Sequence, residues 1–338
     1  MPKKDPSQEA LDALRAMEQD EPTEAGIDHL RKLLEHRSNH VVGRAARLGG
    51  AWKAGRLIPD LLRGFEYFLK DPVKRDPGCV AKRAIIEALV ALEHREPEVY
   101  LSGVRHVQPE PVFGGSEDTA AVLRGVCGEG LLECRYTDKY LVLAELVMDV
   151  DPRTRRVAVE SLGRTDTPEA ELLLRMVVLA DRLGDGGAPG RLRRPDEEDA
   201  DIIASALQGL MAIAPDRSLE FVASFLRSDK DTVAEGAALA IGEARLPASF
   251  SILRRAYEAP GGPDLLLFLL PMALTRDEQA IEFLLRVVED EATPYAAAAV
   301  EALAIYRGDP VCRARIAEVV ANRDGRQVTQ AFRAAFEE

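Results

Sequence analysis

Aromatic residues make up only 5% of the chain, and tryptophan occurs once, as Trp52. A core with so few large rings has to be built from Leu, Ala, Val and Ile, side chains suited to closely packed helices. Hydrophobic residues reach 46%, ample for such a core. Paired cysteines are missing as well. Cys79, Cys127, Cys134 and Cys312 lie at irregular spacing with no CxxC, which suits reduced thiols in a cytosolic protein rather than a disulfide framework. No apolar run approaches the ~20 residues that cross a bilayer. The most apolar stretch, Leu265–Leu274 (LLLFLLPMAL), reads as a buried helix kinked or shortened by Pro271. The N-terminal MPKKDPSQEALDAL lacks the apolar segment of a signal peptide. A cytoplasmic protein with no membrane segment is expected.

Positive charge is outnumbered, 44 Lys and Arg against 57 Asp and Glu. The net charge is −13 with 30% charged residues, which favours solubility and argues against non-specific nucleic-acid binding. Catalytic signatures are absent too. Among five histidines, His36 and His40 are four apart, but Ser38 and Asn39 between them look like a turn and cap. No Cys or carboxylate joins them at metal-ligand spacing. Cys127 and Cys134, seven apart in RGVCGEGLLEC, share a helix face and read as small buried hydrophobes. No GxSxG, HExxH or dinucleotide glycine fingerprint occurs. The sequence therefore assigns no catalytic residue, no cofactor and no metal.

What the chain has is alternation. Leu-rich segments such as PDLLRGFEYFLKD (Pro59–Asp71) and EQAIEFLLRVVED (Glu278–Asp290) exchange with Ala-rich ones such as VAKRAIIEALVAL (Val80–Leu92) and TVAEGAALAIGEA (Thr232–Ala244). Both kinds carry apolar residues at three- and four-residue steps, the pattern of a helix with one buried stripe. Asp76-Pro77, Asp151-Pro152, Thr167-Pro168 and Thr293-Pro294 are N-cap plus first-turn proline signals. The late aliphatic residue of each Ala-rich helix gives the series Leu48, Leu89, Leu131, Leu162, Leu210, Ile241, Leu274 and Leu303. Its steps, roughly 30 to 48 residues, are those of a helical-pair solenoid.

At Asp229–Ala259 (DKDTVAEGAALAIGEARLPASFSILRRAYEA) the chain resembles the HEAT repeat and its bilin-lyase-type variant. In that pattern an Asp-containing turn leads to Val, then Ala-Ala-x-Ala-Leu-Gly, then a Leu-rich helix. Asp151–Val177 and Asp76–Leu92 match as well. The resemblance implies an all-α fold, an α-solenoid forming a right-handed superhelix of about nine HEAT-like hairpins. It would span 1–338 as one domain, with a capping helix in 1–22 and a mobile inserted loop at 184–198. The arginine that usually follows the turn's Val survives only near Arg155; Val42, Ala81, Ala234 and Ala296 stand there elsewhere. An Asp–Arg ladder along the stack is therefore expected to be broken.

The resemblance also brings three enzyme families into view. Deoxyhypusine hydroxylase holds iron through His-Glu dipeptides, and this chain has none. HEAT-like alkylpurine DNA glycosylases use several aromatics and a catalytic Asp on a basic face, against which stand a lone Trp52 and an acidic chain. Bilin lyases match the repeat pattern best, yet no residue specifies a tetrapyrrole pocket. The expected function is a non-enzymatic scaffold that binds a protein partner along its concave face or its long-loop edge. The alternative is a bilin-lyase-type or DNA-glycosylase-type use of the repeat surface.

Candidate contact residues come from loops and from one arginine series. Asp71–Gly78, Gln108–Ser116 and Gly184–Glu198 are the long turns, all inside repeats and hence on one edge. QPEPVFGGS places Phe113 between prolines and glycines, as a protein-facing anchor or as a cap on neighbouring helix ends. In the third loop Arg191, Arg193 and Arg194 lie between a glycine cluster and an acidic run. They form a contact for phosphate or acidic peptide, or partly neutralise the acids beside them. No Lys-Ser/Thr follows, so this is not a phosphate-binding Walker loop. Arg63, Arg105, Arg175, Arg254, Arg286 and Arg315 recur on the Leu-rich helices. They form either a basic stripe for a partner, with Arg175, Arg254 and Arg286 at its centre, or stems lying over leucine.

Overall fold

The computed structural model describes residues 6–183, 197–323 and 325–337. Its helices gather into two compact units, Met1–Ser161 and Leu162–Glu338. The first contains α1 (Pro6–Met17), α2 (Glu24–Leu34), α3 (Asn39–Ala51), α4 (Ile58–Leu69), the short α5 (Pro72–Arg75), α6 (Val80–Ala91) and α7 (Pro97–Val104). It continues through β1 (Pro109–Val112), β2 (Gly115–Asp118), α8 (Ala121–Glu133), α9 (Lys139–Leu146) and α10 (Pro152–Leu162). The Ala-rich helices form an inner rank in which α1 packs on α3, α3 on α6 and α6 on α8. Outside them α2 lies on α3, α4 on α6, and both α7 and α9 on α8.

The second unit repeats the plan. Its helices are α11 (Pro168–Leu183), α12 (Glu197–Ile213), α13 (Pro215–Ala223), α14 (Asp231–Ala244), α15 (Ser249–Glu258) and α16 (Leu266–Leu274). They are followed by α17 (Glu278–Asp290), α18 (Thr293–Leu303), α19 (Pro310–Asn322) and α20 (Arg326–Phe336). The inner rank runs α12, α14, α16, α18, α20, each helix packed on the next, with α11, α13, α15, α17 and α19 outside. Among the described residues, nine helical hairpins follow α1, four in the first unit and five in the second. The fold is an all-α solenoid of helical pairs, and each pair buries its apolar stripe on its neighbours. No helix among the described residues is long and apolar enough to cross a membrane.

The aliphatic series marks the inner rank. Seven of its eight members are buried, and Leu274 is half-buried. Small side chains let these helices approach until backbone meets backbone. At Gly242 on α14, a Cβ would lie 2.3 Å from the carbonyl oxygen of Pro271 on α16. Three of the four cap signals act at helix starts. Thr167 accepts from the Ala170 amide at 3.3 Å ahead of Pro168, Asp151 accepts from the Arg153 amide at 2.9 Å ahead of Pro152, and Asp76 accepts from amides at the start of α6. Thr293 instead lies inside α18, whose N-cap is Ala292. All four cysteines are buried single thiols, and burial pushes Cys79 up to about 12.

Inner helices α3 and α16 end on left-handed residues that are not glycine, Lys53 and Arg276 (φ 52° and 59°). This conformation costs a non-glycine residue about 1–2 kcal/mol. Their long side chains supply an offset by reaching the end of the next inner helix. Lys53 Nζ donates to the Ala91 carbonyl at 2.6 Å, and Arg276 donates to Ile305 at 3.2 Å while lying over the Tyr306 ring. A cation at exposed helix carbonyls is favourable.

Two expectations need correction. Gln108–Ser116 is not an irregular loop: it folds into most of a β-hairpin, with Pro109 opposite Asp118 and Val112 opposite Gly115. Leu265–Leu274 is not wholly buried either. Helix α16 is only 9 residues long with Pro271 inside it, and Leu266 and Leu270 stay 38% and 42% exposed.

Gly242→Ala is expected to destabilise the second unit by roughly 1–3 kcal/mol through overpacking, although Ala is the better helix former. Gly55→Ala, where a Cβ meets nothing within 4 Å, is the control, and urea denaturation followed by circular dichroism is the measurement.

Candidate partner-binding site

In the first unit the turns that lead into inner helices are joined by buried charge. Asp76, fully buried, accepts from the Ala81 amide at 2.8 Å, the Lys82 amide at 3.0 Å and Asn39 Nδ2 at 3.0 Å. Lys82, also fully buried, closes an ion pair with it at 3.0 Å. Removing a carboxylate and an ammonium from water is costly, and the pair repays that only because nearly every lone pair and proton is satisfied. A repeat later the same role falls to Arg124, 5% exposed. It donates to Asp118, grips Asp149 with two bonds at 2.9 and 3.0 Å, and reaches the His106 carbonyl at 3.2 Å. Then Arg155 donates to the Asp149 carbonyl at 2.9 Å. A ladder of acid and base therefore runs along this edge of the first unit, with Lys82 at one rung. In the second unit α12, α14, α16 and α18 carry no base, so no Asp–Arg ladder continues through the inner helices there, as expected.

The hairpin grows from that ladder. Gln108, fully buried, donates from Nε2 to the Asp76 carbonyl at 2.9 Å and to Glu110 at 2.7 Å. Glu110 also accepts from the Gly78 amide at 2.7 Å and from Thr119 Oγ1 at 2.6 Å. Burial would raise the Glu110 carboxyl, but the bonds from Thr119, Gln108 and Gly78 and the charge of Lys82 outweigh it and hold it below its usual value. Asp118 follows the same logic: burial is outweighed by the Gln108 amide, Arg124 and the Ala120 amide. The contact between Gly78 and Glu110 sets the first two long turns side by side. Most of the third turn, 184–196 with Arg191, Arg193 and Arg194, lies outside the described residues, and its expected last two residues, Glu197 and Glu198, begin α12.

At the far end Phe113 is fully exposed and Val112 is 46% exposed. Gly114, at φ 89°, supplies the left-handed backbone of the two-residue reversal. The strand edges are closed to further pairing. Pro109 and Pro111 have no N–H to donate, so the outer edge of β1 lacks donors at both positions. On β2, Arg153 covers the Asp118 carbonyl at 3.1 Å and pairs with Glu117. What the hairpin offers a partner is its tip. The sequence singled out Phe113 and gave Asp76 only as a helix cap; it missed Lys82, Gln108, Glu110 and Arg124. One signal was available: Asp76/Lys82, Asp118/Arg124 and Asp149/Arg155 share a six-residue separation.

Most of the arginine series is engaged locally. Arg175 on α11 pairs with Glu171 at 3.1 Å, donates to the Arg217 carbonyl at 3.0 Å and lies 4.7 Å over the Phe221 ring of α13. Arg254 pairs with Glu258 at 2.7 Å and lies 5.4 Å from the Phe283 ring, which Arg286 approaches at 5.9 Å. Arg63 pairs with Asp60 and Arg315 with Glu278, while Arg105 is exposed beyond α7. Arg175, Arg254 and Arg315 tie one outer helix to the next, whereas Arg63 and Arg286 engage residues of their own helices. An open cleft of about 220 Å³ between α2 and α4 is lined by His36, Asp60, Arg63 and Tyr67 among others. Its buried carboxylate is already held by Arg31 and Arg63.

Fold and site together define a helical-repeat protein with a projecting hairpin whose base is fixed by buried polar bonds. No protein-family model matches the chain, and no curated protein matches it. Among solved structures it is similar to the complex of CpcE and CpcF of phycocyanin lyase from Nostoc sp. PCC7120. The identity is 14%, over 90% of this chain and 97% of that one, with a TM-score of 0.37.

Lys82→Met is expected to destabilise the first unit by roughly 3–5 kcal/mol because it strands a buried carboxylate. Asp76→Asn with Lys82→Met should cost less than the sum of the two single changes. Trp52 fluorescence in urea reads both. Glu110 and Asp118 have folded values below their unfolded ones, so their contribution is complete above about pH 4–5 and is lost as pH falls through the folded values. Amide exchange at 109–119 should accelerate on acidification before exchange in α3 and α6 does.

Proposed function

We propose that this protein is a non-enzymatic interaction scaffold that grips a protein partner through the Phe113 hairpin. The observation that carries the reading is an aromatic side chain held fully in solvent at the end of a strand pair whose base is fixed by buried polar bonds. An exposed phenylalanine is unfavourable in water, and large rings on a pre-organised support make strong anchors because little freedom is lost on docking. The partner should offer an apolar pocket rather than a strand edge, since both hairpin edges are blocked. The outer-helix arginines take second place in this reading, because Arg175 and Arg254 already hold neighbouring helices together.

Phe113→Ser should leave the circular dichroism spectrum and melting temperature unchanged. In affinity purification from the native cell it should lose a stoichiometric partner that the wild type retains, with affinity reduced roughly thirtyfold. Equal recovery of that partner by the variant, or catalytic turnover by the purified protein, would overturn the proposal.

A further inference from the structure

Basic residues in the helices of the second unit up to α19 are sorted by rank, while acids occur on both ranks. Helices α12, α14, α16 and α18 contain no Lys, Arg or His at all. Every basic residue within helices α11 to α19 sits on an outer one. The acids of the inner rank include Glu235 and Glu243 on α14 and Glu301 on α18, all exposed. Between those helices, in contact with both, lies α16 with its exposed Leu266 and Leu270. Leu239, half-buried, lies four residues from both Glu235 and Glu243 and so shares their side of α14. Ala298, also half-buried, stands three residues before Glu301 on α18. The nearest bases in the sequence lie outside these helices: Lys230 at the N-terminal end of α14, and Arg245, Arg276 and Arg307 in turns at the C-terminal ends, with Arg276 committed to Ile305 and Tyr306.

Two features therefore share one face. A pair of leucines meets water on the most apolar helix of the unit, and exposed carboxylates stand on the helices at either side, which carry no base. One kind of ligand matches both: a segment with aliphatic side chains along one side and Lys or Arg flanking them. Phosphate backbones and acidic peptides would meet repulsion instead. We propose that the inner face of the second unit, centred on Leu266 and Leu270 and flanked by Glu235, Glu243 and Glu301, docks a basic amphipathic segment of a partner protein. This gives the scaffold reading a partner chemistry, and it rests on the second unit alone, not on Phe113.

The probe is a fluorescently labelled amphipathic helical peptide of leucine, alanine and lysine, titrated with the full-length protein and followed by anisotropy at low and physiological salt. Saturable binding is expected, weakened about tenfold by Glu235→Lys with Glu243→Lys and by Leu270→Ser. A scrambled peptide of the same composition should bind about tenfold more weakly, and Phe113→Ser should bind the probe as the wild type does. All these substitutions lie on exposed positions, and an unchanged melting temperature verifies folding. Absence of saturable binding, equal binding of the scrambled peptide, or indifference to charge reversal would each overturn the assignment. So would a concentration-dependent dimer in sedimentation that Glu235→Lys with Glu243→Lys abolishes, since a second copy would then occupy the face. If Phe113→Ser alone removes partner recovery while the probe still binds, the hairpin and this face are separate sites and the assignment stands.

Discussion

The first unit turns on one buried ion pair. Asp76 caps the helix that follows it, receives Asn39 from the previous inner helix and, through its carbonyl, holds Gln108 of the next repeat. Three successive hairpins are therefore referenced to a single residue. Lys82 makes that arrangement possible, since without a cation the carboxylate would have to shed its charge or admit water. Hydrophobic packing alone does not fix how far one helix pair slides along the next, because Leu, Ala and Val stripes tolerate small shifts. Directional bonds do fix it. The hairpin inherits this register, and Phe113 is positioned by residues distant in the chain from its own tip.

The second unit meets the same requirement by other means. Its outer helices are stitched by arginines that combine an ion pair with a ring or a carbonyl, as Arg175 does with Glu171 and Phe221. Arg323 caps the end of α17 through the carbonyls of Glu289 and its neighbours, at 2.8 Å for Glu289. An arginine fork suits these multi-acceptor positions better than a lysine would. The bases are spent outside, and the inner helices before α20 carry none.

The helical pairs were legible because each apolar stripe has a helical period and the Ala-rich member repeats: Leu89, Leu131 and Ile241 all fall inside the core. The hairpin was not legible. Its strands are four residues each, and β1 has prolines at 109 and 111, which in a sequence argue against a strand. They are tolerated because β1 is an edge with a single neighbour. The ladder escaped notice for a different reason. The cation was sought directly after the turn's valine, at Ala81, whereas the structure uses Lys82, one residue further round the helix and directed at Asp76. Leu266 and Leu270 were assigned to the core because composition reports how apolar a helix is, not how many of its sides have neighbours.

The confinement of bases to the outer helices, where they offset most of the acids beside them, leaves the inner side of the second unit the more negative one and gives that unit an electric moment across its thickness. Such a moment acts over a distance of the order of the screening length, ~8 Å at physiological ionic strength. An approaching cationic surface would be turned toward the inner helices before any side chain touches. Added salt would then slow encounter more than it shortens the lifetime of a complex already formed.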